Sequence, residues 1–266
     1  MSALIFDCDG VLADTERYGH LPAFNTTFKQ YGLPAHWDED EYAVRLRIGG
    51  GKERMQSLFD DRDFVAQAGI PDDPALRADL LAAWHRTKSH TFKRMVSEGA
   101  LPARPGITRL ISEALAAGWA VCVASTSTEE SVRAVLISAV GEQMAERVPI
   151  FAGDVVPVKK PDPAIYVLAL DRLDLDPKDT LVVEDSRNGL RAAVGAGLPC
   201  LVTVNGYTRD EDFSEATLVV SELGDPGRPP IEVMATHGQV LVGEYVTLET
   251  LTQCINAWAT SSPAEV

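Results

Sequence analysis

With 266 residues, 45% of them hydrophobic, the chain is long enough for a large single domain or for a core domain carrying an insert, and disorder as a default is excluded. Its 24 basic and 39 acidic residues leave a formal charge of −15, so neither a nucleic acid nor an anionic membrane finds electrostatic support as a partner of the whole chain. Any anionic substrate must find a local basic pocket. Cys8, Cys122, Cys200 and Cys254 are widely separated, show no CxxC or Cys/His ligand spacing, and read as reduced core fillers. Nothing resembling a signal or transit peptide precedes Ile5 and no apolar run approaches membrane-spanning length, so a cytoplasmic protein is expected, or an organellar one if a transit peptide has been removed.

The first element is a continuously apolar run, residues 3–6, of the kind a buried parallel strand shows. It closes on Asp7-Cys8-Asp9-Gly10. Carboxylates at i and i+2 of a strand share a face, so Asp7 and Asp9 can converge on one cation or one phosphoryl group while Cys8 faces away. Gly10 lets the backbone turn sharply and leaves peptide N–H groups for an anion. One carboxylate could then attack phosphorus while the other protonates the departing oxygen and later activates water. Asp and Gly are also common where strands stop, so this pair alone is equally ordinary turn chemistry.

Residues 15–96 contain no convincing buried strand but several helical stretches, 21–31, 39–46 and 74–95, and are expected to form an inserted helical domain covering the active site. Inside it, Gly49-Gly50-Gly51-Lys52-Glu53-Arg54 joins glycines to two cations, a combination that can hold a phosphate and that can equally be a flexible loop opening a helix. His20 is a further candidate, as are His85 and Lys88, at i and i+3 on one helical face, although each alone is an ordinary surface or capping residue. Arg104-Pro105-Gly106 marks the return to the core before a helix at 107–117.

A strand at 119–124 ends in Ser125-Thr126-Ser127-Thr128, hydroxyls that suit a phosphate and also a helix N-cap before the helix at 131–140. After a strand at 150–152, Lys159-Lys160-Pro161 can present an ammonium, held extended before proline, to the same strand-end crevice, or can be a solvated loop. A helix at 163–173 leads to a strand at 181–183 ending in Glu184-Asp185, hard oxygen ligands of the kind magnesium takes, or an acidic cap on the helix at 188–196. A strand at 200–204 follows. Beyond Gly224 come a Pro/Gly loop, a strand pattern at 240–245, and a helix at 247–258 whose Leu248, Leu251, Ile255 and Trp258 are expected to cover a sheet edge. Residues 261–266 read as frayed.

The alternation predicts an α/β fold: a doubly wound parallel, Rossmann-like sheet with an inserted α-helical cap domain. The expected division is 1–14 plus 97–224 for the catalytic core, 15–96 for the cap and 225–266 for an extension packing on the core.

The ordered set DxDGxxxDTE at residues 7–16, Ser125, Lys160-Pro161 and Glu184-Asp185 resembles the haloacid dehalogenase superfamily of phosphotransferases, over residues 1 to about 222. The resemblance implies Asp7 as nucleophile, Asp9 as general acid/base, Ser125 and Lys160 as phosphate ligands with Thr126 and Ser127 beside them, and Mg2+ on Asp7, the Asp9 carbonyl and Asp185, with Glu184 as ligand or outer partner. Dehalogenases of the family lack the second aspartate, so Asp9 argues for phosphoryl chemistry.

With Arg104-Pro105-Gly106, Ala152-Gly153-Asp154, residues 188–191 and Gly206-Tyr207-Thr208, the chain is similar to one subgroup, the CbbY proteins. That resemblance implies a magnesium-dependent phosphatase converting xylulose-1,5-bisphosphate, a Rubisco inhibitor, to xylulose 5-phosphate. It further implies that Gly50, Gly51, Lys52, Glu53, Arg54, His85 and Lys88 anchor the distal phosphate and sugar, while Glu16 and His20 contact hydroxyls. A monomer acting on a small-molecule sugar bisphosphate is expected, in the cytoplasm or the chloroplast stroma. The competing readings are a sugar phosphomutase of the β-phosphoglucomutase type and a non-catalytic binding protein on the same fold.

Overall fold

The structure is a computed structural model, which describes residues 1–99 and 101–261. The chain divides into two compact units, one made of residues 1–14 with those from 102 onward, the other of residues 15–101.

In the first unit the described residues form a seven-stranded sheet of β1 (Ala3–Phe6), β2 (Ala120–Ser125), β3 (Ile150–Ala152), β4 (Thr180–Glu184), β5 (Cys200–Thr203), β6 (Leu218–Val220) and β7 (Val233–Thr236). The spatial order is β3-β2-β1-β4-β5-β6-β7, and all neighbouring pairs are parallel except the last. β1, β4 and β5 are buried at every position, which is why they read as unbroken apolar runs. The chain winds outward from β1 to β3, then returns to place β4 on the other side of β1, so the strand order reverses between β1 and β4. In an open parallel sheet the carboxyl ends at such a reversal form the natural ligand crevice.

The second unit contributes α1 (Leu21–Gln30), α2 (Glu39–Arg45), α3 (Gly51–Gln56), α4 (Arg62–Gln67) and α5 (Pro74–Ser97). Asp38, Asp61 and Asp73 cap α2, α4 and α5 by accepting backbone N–H bonds, satisfying donors that a helix start leaves orphaned. Its own core is aromatic: Trp37 lies 4.9 Å from Phe24 and 4.8 Å from Phe28, ring to ring, and both phenylalanines are fully buried.

The remaining helices belong to the sheet unit: α6 (Ile107–Ala116), α7 (Glu129–Val140), α8 (Glu142–Ala145), α9 (Ala164–Leu173), α10 (Arg187–Gly195) and α11 (Leu248–Ser261). Ile5, Cys122, Val182 and Val202 face one side of the sheet, against Ile165, Tyr166 and Ala169 of α9 and Leu190 and Ala193 of α10. Among the described residues no helix is long and apolar enough to cross a membrane.

The C-terminal segment departs from expectation. Residues 240–245 form no strand, with Leu241 exposed in a loop, while β6 and β7 were not anticipated. β6 is three residues long, too short for periodicity to register, and β7 is an edge strand with mostly exposed side chains, defined by its antiparallel ladder to β6. Nor does α11 cover an edge: with Leu251 and Cys254 fully buried, it packs against the central strand β4 and against α6. The expected fraying over 261–266 falls, from 262 onward, outside the described residues.

Candidate active site

Asp7 leaves β1 at the reversal point, its N–H bonded to the Val183 carbonyl of β4 at 2.9 Å, and its side chain is almost completely buried. The backbone then turns tightly, with Leu12 N–H on the Cys8 carbonyl at 2.9 Å and Gly10 N–H on the Ala13 carbonyl at 3.0 Å. Gly10 has φ of +77°, and a Cβ there would lie 2.0 Å from Asp185 Oδ2, so both conformation and space require glycine.

Lys160 supplies the counter-charge. Its Nζ donates to Asp7 Oδ1 at 2.7 Å, to Glu184 Oε1 at 2.7 Å and to the Ala124 carbonyl at 2.9 Å. The Lys160–Pro161 bond is cis. Glu184 Oε1 also accepts from the Tyr166 hydroxyl, and its Oε2 accepts from Asp185 N–H at 3.2 Å. This carboxylate fits only because position 189 is glycine, where a Cβ would fall 1.9 Å from Glu184 Cδ. Burial pushes the Asp7 carboxyl up to about 8, with Lys160 opposing and Glu184 and Asp9 adding to the rise. Burial works against the Lys160 charge, but Asp7 and Glu184 outweigh it and hold the ammonium protonated.

At the end of β2, Ser125 is buried and its Oγ accepts from Ser127 N–H at 3.2 Å, while Ser127 Oγ donates to Asp9 Oδ2. Thr126 is half-buried beside them. Thr128, not these residues, is the side-chain cap of α7. The hydroxyl cluster therefore divides its work, and Ser125 to Ser127 remain at the strand end beside the carboxylates.

Carboxylate oxygens of Asp7, Glu184 and Asp185 lie within 4.8 Å of one another. The donor set is hard oxygen throughout, and together with Asp9 it outnumbers the one lysine, so the residues fit a divalent cation. Glu184 already meets Lys160, Tyr166 and the Asp185 N–H, which makes Asp7 and Asp185 the better-placed holders and Glu184 the group that orients the lysine.

Within the helical unit, Lys88 is buried with its Nζ 2.7 Å from His20 Nδ1 and 4.6 Å from the centre of the Phe24 ring, while His20 stacks on Phe92. Gly51 opens α3 against this group, since a Cβ there would approach both His85 Nε2 and Lys88 Nζ to 3.6 Å. Gly50 precedes it with φ of +93°. Arg54 does not stand open as a phosphate hook: it donates to the Ile48 carbonyl and the Tyr42 hydroxyl at 3.0 Å each and pairs with Glu16 at 3.3 Å. Tyr42 also donates to Glu16. Lys52 is exposed and Glu53 half-buried, so the unit brings together His20, Gly51, His85 and Lys88, and separately Glu16 and Arg54.

Sequence reasoning missed several contributors. Arg104 donates to the Gly10 carbonyl, to the Val204 and Ser221 carbonyls at 2.7 Å each and to the Thr203 carbonyl at 3.1 Å, tying the catalytic turn to the ends of β5 and β6. Tyr166 and Asn205 each bond an acid of the site. The only available signals were Arg104 before Pro-Gly and Asn205 before Gly at a strand end.

Residues 1–197 match the family model described as haloacid dehalogenase-like hydrolase. A CBBY-like protein of Arabidopsis thaliana is 47% identical over 246 residues, 92% of this chain and 76% of that protein. The crystal structure of CbbY from Rhodobacter sphaeroides in complex with phosphate is 40% identical with a TM-score of 0.76, covering 85% of this chain and 97% of that one. A mutant of the same protein in complex with xylulose-(1,5)bisphosphate is 39% identical with a TM-score of 0.76, covering 85% and 96%. Paired carboxylates, a buried lysine and a strand-end serine thus stand on a fold shared over most of both chains: the chain belongs to the haloacid dehalogenase-like hydrolase family, within its CbbY-like group, and is a phosphatase.

Proposed function

We propose that the chain is a magnesium-dependent sugar-bisphosphate phosphatase working through an aspartyl-phosphate on Asp7, with xylulose-1,5-bisphosphate as substrate. The observation that carries the mechanism is the Asp7–Lys160–Glu184 cluster beside the Ser127–Asp9 pair. An Asp7 carboxylate oxygen attacks phosphorus as the bond to the sugar oxygen breaks, and Asp9 gives that oxygen its proton. Asp9, now ionised, takes a proton from water as the water attacks phosphorus, releasing inorganic phosphate and restoring Asp7. Lys160 and Ser125 offset the charge on the transferring group, an electrostatic role that costs no reorganisation because Glu184, itself bonded by the Tyr166 hydroxyl, already holds the lysine. Magnesium on Asp7, the Asp9 carbonyl and Asp185 would neutralise phosphoryl charge.

The choice of a bisphosphate rests on the compound named for the R. sphaeroides relative; within the helical unit, taken by itself, the buried Lys88 with His20, His85 and Gly51 beside it is a group suited to an anion. Glu16, held by Arg54 and Tyr42, suits a sugar hydroxyl. The substrate itself is the one named in the complex of the R. sphaeroides relative, and on this reading the reaction removes a Rubisco inhibitor. A phosphate-release screen over five- and six-carbon sugar mono- and bisphosphates with magnesium tests it. Release concentrated on the ketopentose bisphosphate is expected, and isomerised monophosphate without free phosphate would instead establish a mutase.

A further inference from the structure

Asn205 lies just past β5 and its side chain is fixed at both ends. Its Oδ1 accepts from Tyr207 N–H at 2.8 Å, an Asx turn, and its own N–H donates to Thr208 Oγ1 at 3.1 Å. The turn leaves Nδ2 to donate to Asp185 Oδ2 at 2.6 Å. The amide cannot be flipped without losing both bonds, because the carboxylate needs a donor and the peptide N–H needs an acceptor. Gly10 approaches the same carboxylate oxygen so closely that a Cβ would lie 2.0 Å from it. Asp185 is thereby clamped between an amide donor and a side-chain-free turn.

We propose that Asn205 is a positioning residue for the divalent-cation site: it fixes the rotation of the Asp185 carboxylate beside Asp7 and so sets metal affinity. This rests on the reading of Asp7 and Asp185 as metal holders. Outer partners of metal ligands typically carry about 10–100-fold in affinity, since an unrestrained ligand must be ordered when the ion binds. It also assigns work to the turn at residues 205–208, whose Gly-Tyr-Thr run carries no catalytic group.

The test is calorimetric titration of the full chain with Mn2+ and Mg2+, without substrate, comparing the parent with Asn205→Ser. A serine hydroxyl can still close the turn onto Tyr207 N–H but is too short to reach Asp185. The expected result is metal affinity about 10–100-fold weaker with the KM for an aryl phosphate at saturating metal unchanged, while the metal-free melting temperature falls by about 3–12 °C for the lost bond to a buried carboxylate. Binding within about twofold of the parent would overturn the assignment, and the same thresholds apply to Asn205→Ala should the serine variant not fold. A parent chain that binds neither ion would overturn the metal reading and this proposal with it, whereas a parent that binds beside an unaffected variant overturns the role of Asn205 alone.

Discussion

Replacing Lys160 by methionine removes the one cation at the centre of the site while nearly conserving its length and volume. The ammonium touches Asp7 and Glu184 at 2.7 Å each, and the side chains concerned are 7%, 10% and 1% exposed, so neither carboxylate can recover its hydration when the lysine is lost. Removing one partner of such a buried pair costs about 3–5 kcal/mol. At about 2–4 °C per kcal/mol for a chain of this size, the melting temperature near pH 8 should fall by roughly 6–20 °C. The loss should depend on pH in a definite direction. The Asp7 carboxyl is raised from 3.8 to about 8 on folding, so the folded state binds more protons across that interval and stability declines as pH rises through it. Without Lys160 to oppose the rise, Asp7 in the variant titrates above the parent's value of about 8, so the two decline in parallel up to about pH 7 and the gap widens above about pH 8, where the parent levels off and the variant goes on declining. Lys160 itself cannot produce that trend, because a base raised above 10.5 contributes its full stability throughout this range. Thermal melts in chelator at several pH values check this, and phosphatase activity should fall by about 10²–10³-fold, the cost of one preorganised electrostatic contact. A variant that melts with the parent near pH 8, or whose gap grows as pH falls, would refute the reasoning.

Asp7→Asn should abolish turnover while melting at or above the parent temperature, since it removes the nucleophile together with a carboxylate that burial disfavours, as activity assays and thermal melts would register. Gly189→Ala places a Cβ 1.9 Å from Glu184 Cδ, so the overpacking should cost about 1–3 kcal/mol in a denaturant titration and lower activity by displacing the acid that orients Lys160. The four thiols should resist an aromatic disulfide reagent near neutral pH and react only on denaturation. Burial pushes Cys122 and Cys254 up to about 12 and raises Cys8 and Cys200 as well, leaving almost no thiolate to attack.

What the sequence determined by itself was local. Runs such as Ala3–Phe6 and residues 181–183 announce buried parallel strands because both faces are covered and every position must be apolar. Asp7, Asp9, Lys160 and Asp185 were legible because carboxylates, a lysine before proline and an acidic pair each follow such a strand, where an α/β sheet places its chemistry. Tertiary structure decided the partnerships. Glu184 and Asp185 stand beside Asp7 because the strand order reverses and sets β4 against β1, while Lys160 meets Asp7 across 153 residues from the loop after β3, and no spacing encodes either approach. Arg104 acts through hydrogen bonds to carbonyls at strand ends, and Tyr166 and Asn205 each through a bond to one particular acid, and contacts of this kind leave no periodic trace. The C-terminal segment was misread for the same reason. β7 is a strand because β6 offers it a ladder, and α11 covers the middle of the sheet because an apolar stripe specifies that a face is buried but not against what.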